Sequence, residues 1–434
     1  MKRMKRIMAL MLAAIMMMAM SVTAFAAGTT HSLTVNVKGG QDLKGQTINL
    51  YKLFDVTESG EAPNKNYAYT VNTQYKATLA SVLGISANSK DEAFAEAVTQ
   101  LGTDNSTEVQ NFANTFTTKA LEGKLAATAT SNKILDSNTA YTFSDLSAGY
   151  YLVYVTGGKA IQSSLVTVDE TTNTVNLKTE APSIEKTANK ETVNIGDVVT
   201  YTVKGSIPDT TGYDQYQYII HDELSKGLDF VNDAKGTALG EGATTVNVAV
   251  AFTDAEVTDA TTAPTTATLD TKNNRKMALD LSAWVKDNQT NKGKEFTVTY
   301  YAKVNKAAVV IEQNKAQLEY GNKPGETTTT TPSEAKTPTY PLDILKVKKD
   351  TTEKLAGAKF RLYSNKTDAD ANDDTKAIKV SPVTPGVAGN YVVDSTSSTT
   401  EFVSVENIEG KGYNLRVNGL AEGTYYLVET KAPD

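Results

Sequence analysis

The chain has no cysteine. No disulfide can brace it, and thiolate catalysis is closed to it. Histidine is nearly absent as well, with His31 and His221 the only two in 434 residues. No HExxH or GxSxG pattern is present, so the common metalloprotease and serine hydrolase mechanisms lack their reacting groups. The acidic run from Asp368 to Asp374 has neither the glycine nor the closing glutamate of an EF-hand. It is expected as a solvated hairpin. No metal site and no cofactor follow from the sequence, and a turnover enzyme has no catalytic constellation to rest on. Basic charge is also short: 43 Lys and Arg face 50 Asp and Glu, for a formal charge of -7. That balance argues against nucleic acid or an anionic membrane as partner.

What is present is β-sequence. Threonine, valine and tyrosine recur in short alternating runs such as Leu33-Thr-Val-Asn-Val37, Phe296-Thr-Val-Thr-Tyr300 and Tyr413-Asn-Leu-Arg-Val417, separated by polar turns. The length suits about three domains. Residues 1–26 have a basic start, an apolar stretch and Ala24-Phe25-Ala26, the pattern of a secretory signal peptide. Removing its four basic residues takes the formal charge to -11. A first domain spans 31–178, interrupted at about 73–127 by mixed helical spacing that predicts an inserted helical region. A second domain spans 182–325. Residues 326–339, rich in threonine with two prolines, read as an extended linker. A third domain covers 340–434.

Three residue types in the second domain, falling in order, point to one chemistry. Lys186 lies at its start, Asp222 in a middle segment and Asn314 near its end. A lysine amine is nucleophilic only when neutral, and burial favours the neutral form. An amide carbon is a poor electrophile. A carboxylic acid kept protonated by burial can polarise the amide oxygen and pass protons while ammonia leaves. Folding would hold the groups in attack geometry, worth roughly 7–11 kcal/mol of barrier. The product is an amide cross-link made once per molecule. Taken singly, each residue also has a plain reading: a solvated lysine, a turn or helix-cap aspartate, and an edge-strand amide.

The segments IEKTANKETVNIGDVVTYTV, YIIHDELSKGLDF and NKAQLEYGN resemble the isopeptide-forming middle domain of Gram-positive, sortase-assembled backbone pilins. The resemblance implies a mainly β fold of tandem immunoglobulin-like sandwiches of the collagen-adhesin A and B types. It assigns Lys186 and Asn314 to the cross-link and Asp222 to its catalysis. The C-terminal Tyr425-Tyr-Leu-Val-Glu429 resembles the pilin E-box, which makes Glu429 a catalytic acid. Its lysine partner is Lys346 or Lys348, two apart on one strand face; Lys346 is favoured. Ala148-Gly-Tyr-Tyr-Leu-Val-Tyr154 aligns with that box but puts Tyr154 in the place of Glu429, so no cross-link is expected in the first domain. Lys178 is the best positional match to the pilin lysine that joins subunits, although the Trp and Tyr-Pro of that motif are missing.

The expectation is a structural shaft subunit of a covalently polymerised, cell-wall-anchored surface pilus. A sortase, other copies of the same pilin and minor pilins would be its partners. The alternative is a pilus-tip or cell-wall adhesin for a host protein or glycan, with the 73–127 insert as its candidate binding region. Either the sequence is a fragment or the protein is secreted unanchored; a fragment, with a partner asparagine for the third domain and a sorting signal beyond Asp434, is favoured because a sandwich stopping straight after its E-box strand leaves an unpaired edge.

Overall fold

The computed structural model describes residues 30–433 except 38–42, 44, 60–65, 103–105, 132–138, 170–171, 178–179, 309–310 and 324. The signal-peptide reading and Lys178 therefore lie outside the described residues. The chain is mainly β, a row of immunoglobulin-like sandwiches with a helical insertion in the first.

In the first domain, one sheet joins Ala140–Leu146, His31–Val37 and Thr172–Leu177, and a second centres on Ile48–Ser59 and Gly149–Val155. Every residue of Gly149–Val155 is buried, and its alternation explains how. Tyr151, Val153 and Val155 enter the core between the sheets. Tyr150, Leu152 and Tyr154 face three helices, Lys76–Leu83, Asp91–Gln100 and Thr107–Glu122. A strand covered on both faces reads as a continuous apolar run. The helices supply Phe94, Phe112 and Phe116 to that second core, and Ser106 caps the longest by accepting from the Val109 N–H at 3.2 Å.

The second domain packs the sheet of Leu228–Val231, Glu295–Val304, Val198–Ser206 and Glu185–Ala188 against one built on Lys276–Asp280, Tyr218–Leu224 and Ile311–Lys323. Its last strand is not where the sequence suggested. Residues 326–339, expected as a linker, form two strands, Glu326–Thr329 and Ser333–Pro338, that pair along Ile311–Lys323. Ile311–Lys323 is consequently an interior strand, flanked by Tyr218–Leu224 on its other side. The physical reason is β-branched threonine on a pleat whose inward positions are small: Ala335 and Thr337 are buried while Glu334 and Lys336 face water.

Only Thr339 separates this strand from Tyr340–Ile344, the first strand of the third domain. Thr339 is buried and its hydroxyl donates to the Ala308 carbonyl at 2.7 Å. The third domain pairs Tyr340–Ile344 with Leu415–Leu420, and Lys359–Tyr363 with Tyr426–Lys431. The 192–197 turn of the second domain docks on it. Ile195 N–H donates to the Gly419 carbonyl at 2.9 Å, Asn194 Oδ1 accepts from the Ala421 N–H at 2.9 Å, and Lys306 pairs with Asp394 at 2.5 Å. Gly419 has φ +87°, and a β-carbon there would lie 2.3 Å from Ile195 Cδ1. The close approach requires glycine. The expected hairpin at 368–374 is also corrected. Asn365 caps a short helix, Lys366–Asp370, by accepting from the Thr367 N–H at 2.8 Å, and Lys366 pairs with Asp370 one turn on at 2.6 Å.

Because Ser333–Pro338 is a paired strand, trypsin should not cut the folded wild-type chain after Lys336. In Ala335→Glu, a carboxylate forced into the core should release the strand and open that bond. Equally fast cleavage of both proteins, followed on a gel, would restore the flexible linker.

Candidate functional site

The sandwich interior of the second domain collects the three residues. Side chains alternate along a strand, so one face of each strand points inward. Lys186 is the buried position of Glu185–Ala188. Asp222 follows Tyr218 and Ile220 on the inward face of Tyr218–Leu224. Asn314 falls between the inward Glu312 and Ala316. Lys186 is 4% exposed, Asp222 2% and Asn314 0%. The solvated-lysine, turn-aspartate and edge-amide readings do not describe them.

Two tyrosines complete the site, and sequence inspection did not single out either. Tyr201 pairs across the sheet with Tyr300, their rings stacked at 5.8 Å. Lys186 Nζ lies 4.9 Å from the Tyr201 ring centre and 4.8 Å from that of Tyr300. Lys186 Nζ is within hydrogen-bonding contact of Asp222 Oδ2 and of the Tyr300 hydroxyl, and that hydroxyl donates to Asp222 Oδ2. Asn314 Nδ2 donates to the same hydroxyl at 3.3 Å. Asp222 Oδ1 and Asn314 Oδ1 are buried with no hydrogen-bond partner. Both are acceptors while the carboxyl is ionised; a proton on Asp222 Oδ1 makes it a donor. The misread linker closes the site. Ala335 lies opposite Asn314 in register, and Ser333 Oγ accepts from the Lys186 N–H at 2.9 Å.

Burial dominates the protonation of the pair. It pushes the Lys186 amine down to about 8, with Asp222 opposing the shift. It pushes the Asp222 carboxyl up, against Lys186 and the hydrogen bonds from Tyr300 and Asn314. The Tyr300 phenol is held well above its ordinary value by burial and then by the Asp222 charge. A neutral amine, a protonated acid and an un-ionised phenol are the forms this interior favours.

In the third domain Lys346 Nζ lies 2.9 Å from Glu429 Oε2, with side chains 25% and 34% exposed, whereas Lys348 pairs with Glu353 at 3.6 Å. Asn414 is buried nearby, but its amide is committed to the backbone: Oδ1 accepts from the Lys346 N–H at 2.8 Å, and Nδ2 reaches the Leu355 and Val405 carbonyls. In the first domain Tyr154 is buried against the helices. Among the described residues no group of three His, Asp or Glu is placed to hold a metal ion, and no helix is long and apolar enough to cross a membrane.

Residues 341–434 match the family described as SpaA, prealbumin-like fold domain. No curated protein matches the chain. Among solved structures it is similar to a backbone pilin of Streptococcus pyogenes, at 17% identity over 94% of this chain and 78% of that one, with a TM-score of 0.44. The major pilin SpaD of Corynebacterium diphtheriae aligns at 18% identity over 93% and 88%, with a TM-score of 0.44. The major pilin SpaA of the same organism aligns at 16% identity over 93% and 92%, with a TM-score of 0.40.

The buried pair predicts a pH dependence in a chain that cannot react. In Asn314→Ala, the Lys186 amine of the folded state titrates below that of the unfolded state. Between the two values the unfolded chain holds the extra proton, so stability rises as pH rises from about 8. Urea unfolding should show an added slope on the order of 1 kcal/mol per pH unit. The reference is a variant in which Lys186 and Asp222 are also replaced, by Met and Asn. Parallel pH curves for the two would contradict the burial argument.

Proposed function

We propose that the chain is a structural shaft subunit of a covalently polymerised surface pilus, and that its second domain is closed by an autocatalytic amide between Lys186 and Asn314. The observation that carries the reading is the meeting of a lysine, an acid and an asparagine in one dry interior, with burial driving the amine and the acid toward their neutral forms. Lys186 Nζ attacks Asn314 Cγ. Asp222, protonated, hydrogen-bonds the amide oxygen and stabilises the charge that develops there. The C–N bond of the side-chain amide then breaks and ammonia departs. The side chains of Lys186 and Asp222 are wholly buried and the amine and amide are consumed in the bond, so the reaction ends with the first turnover.

A bond between positions 186 and 314 closes a loop of 128 residues. By analogy with other cross-links, that stabilises the fold by on the order of 4–5 kcal/mol. It also ties the Glu185–Ala188 strand of one sheet to Ile311–Lys323 of the other, so tension along the chain bypasses the ladders between them. In a protein without cysteine, an amide serves where a disulfide would otherwise stand. The SpaA-type match of the third domain agrees with a pilin reading. Lys346 and Glu429 supply a nucleophile and an acid there. A sortase would join subunits through Lys178, linking the exported chain at the cell wall to other copies of itself and to minor pilins.

Tryptic digestion of the wild-type protein should yield a branched peptide joining Lys186 to Asn314, and Asp222→Ala should yield the two linear peptides instead. Linear peptides from a folded wild-type chain would remove the proposal. Lys346 peptides of residues 340–434 should be unbranched in both. For assembly, Lys178→Ala should abolish high-mass ladders when the precursor meets its sortase while leaving the monomer folded; unchanged ladders would assign the joining role to another lysine.

A further inference from the structure

We infer that the Tyr300 hydroxyl is the proton relay of the Lys186–Asn314 reaction, linking the nitrogen that attacks to the nitrogen that leaves; this rests on the amide-forming reading of the site. A phenol has one hydrogen to give and two lone pairs to accept with. At Tyr300 all three are taken, and each points to a reacting group. The hydrogen goes to Asp222 Oδ2. The oxygen accepts from Lys186 Nζ and from Asn314 Nδ2. Tyr300 is an inward residue of Glu295–Val304, fixed between the stacked Tyr201 and the Phe230 ring at 6.0 Å. Its hydroxyl therefore has little freedom to serve anything else.

The bookkeeping of the reaction requires such a group. Forming the Lys186 Nζ–Cγ bond obliges the lysine nitrogen to lose a proton. Breaking the Cγ–Nδ2 bond obliges the asparagine nitrogen to gain one before it leaves as ammonia. The net change is one proton moved from Nζ to Nδ2, with no oxidant or other reactant. Asp222 Oδ2 touches the first nitrogen directly. The second nitrogen, Asn314 Nδ2, donates to the Tyr300 hydroxyl at 3.3 Å, and that hydroxyl in turn donates to Asp222 Oδ2. Asp222, protonated on Oδ1, gives that proton to the amide oxygen as Oδ2 takes the lysine proton. When the intermediate collapses, Oδ1 recovers its proton from that oxygen, and Oδ2 passes the lysine proton to the Tyr300 oxygen as the phenol hydrogen transfers to Nδ2. The reacting side chains are fully buried, so bulk solvent does not substitute for the relay.

The test follows the intact mass of chains made by cell-free translation and sampled over time. Wild type and Tyr216→Phe, which loses a buried hydroxyl elsewhere in the same core, should lose ammonia at similar rates. Tyr300→Phe should fold, as judged by circular dichroism and cooperative melting, yet lose ammonia on the order of 100-fold more slowly. Should Tyr300→Phe fail to fold, 3,5-difluorotyrosine at position 300 keeps the size and makes the phenol more acidic. The alkaline limb of the rate profile should then move to lower pH. Ammonia loss by Tyr300→Phe at the wild-type rate, or an unmoved profile with the fluorinated residue, overturns the relay while leaving the cross-link standing. A wild-type chain that never loses ammonia removes the reaction and the relay together.

Discussion

An amine and a carboxyl group buried in the middle of a β-sandwich are the constraint on which the second domain depends. Taking both charges out of water costs several kcal/mol per ion unless the pair is neutralised or fully hydrogen-bonded. The domain surrounds them with tyrosines, shares their protons and sets an amide beside them. As a merely electrostatic feature this would be a weak source of stability, since a well-packed apolar core of the same volume often does as well. As the precursor of the proposed covalent bond it becomes intelligible: reaction turns the costly buried amine and the asparagine amide into a single neutral amide and leaves the Asp222 carboxyl with no cation beside it.

The remaining architecture keeps that interior closed and ties it to the neighbouring domains. The strand Ser333–Pro338 covers Asn314 and receives the Lys186 backbone N–H, and it runs almost directly into the third domain. The 192–197 turn adds a second tie to that domain, through Asn194, Ile195 and Gly419. On the other side, Gly212 sits so close to Leu121 of the helical insertion that a β-carbon would lie 2.8 Å from it, and Asp209 N–H donates to the Lys159 carbonyl at 3.0 Å. On the proposed reading as a shaft subunit, load passes from domain to domain through these packed junctions.

Much of the site was legible in the sequence because Lys186, Asp222 and Asn314 fall in order within three segments that resemble the isopeptide-forming domain of backbone pilins, and their chemistry together suggested one reaction. The helical insertion announced itself by its change of period around Phe112 and Phe116. Tyr300 did not, because Phe296-Thr-Val-Thr-Tyr300 is an ordinary alternating strand in which an aromatic is expected; only the cross-sheet register puts its hydroxyl among the reacting groups. Residues 326–339 were misread because their buried positions are Ala335 and Thr337, which carry no hydrophobic signal. The 368–374 run was misread because its acids suggested a solvated turn, while Asn365 and the Lys366–Asp370 pair favour a helical one.

The central claim is that the purified wild-type protein already contains the Lys186–Asn314 amide. Intact-mass spectrometry of the folded, mature chain tests it without any variant. A mass one ammonia below that of the mature sequence is the predicted result, and a correctly folded chain at full sequence mass would contradict it.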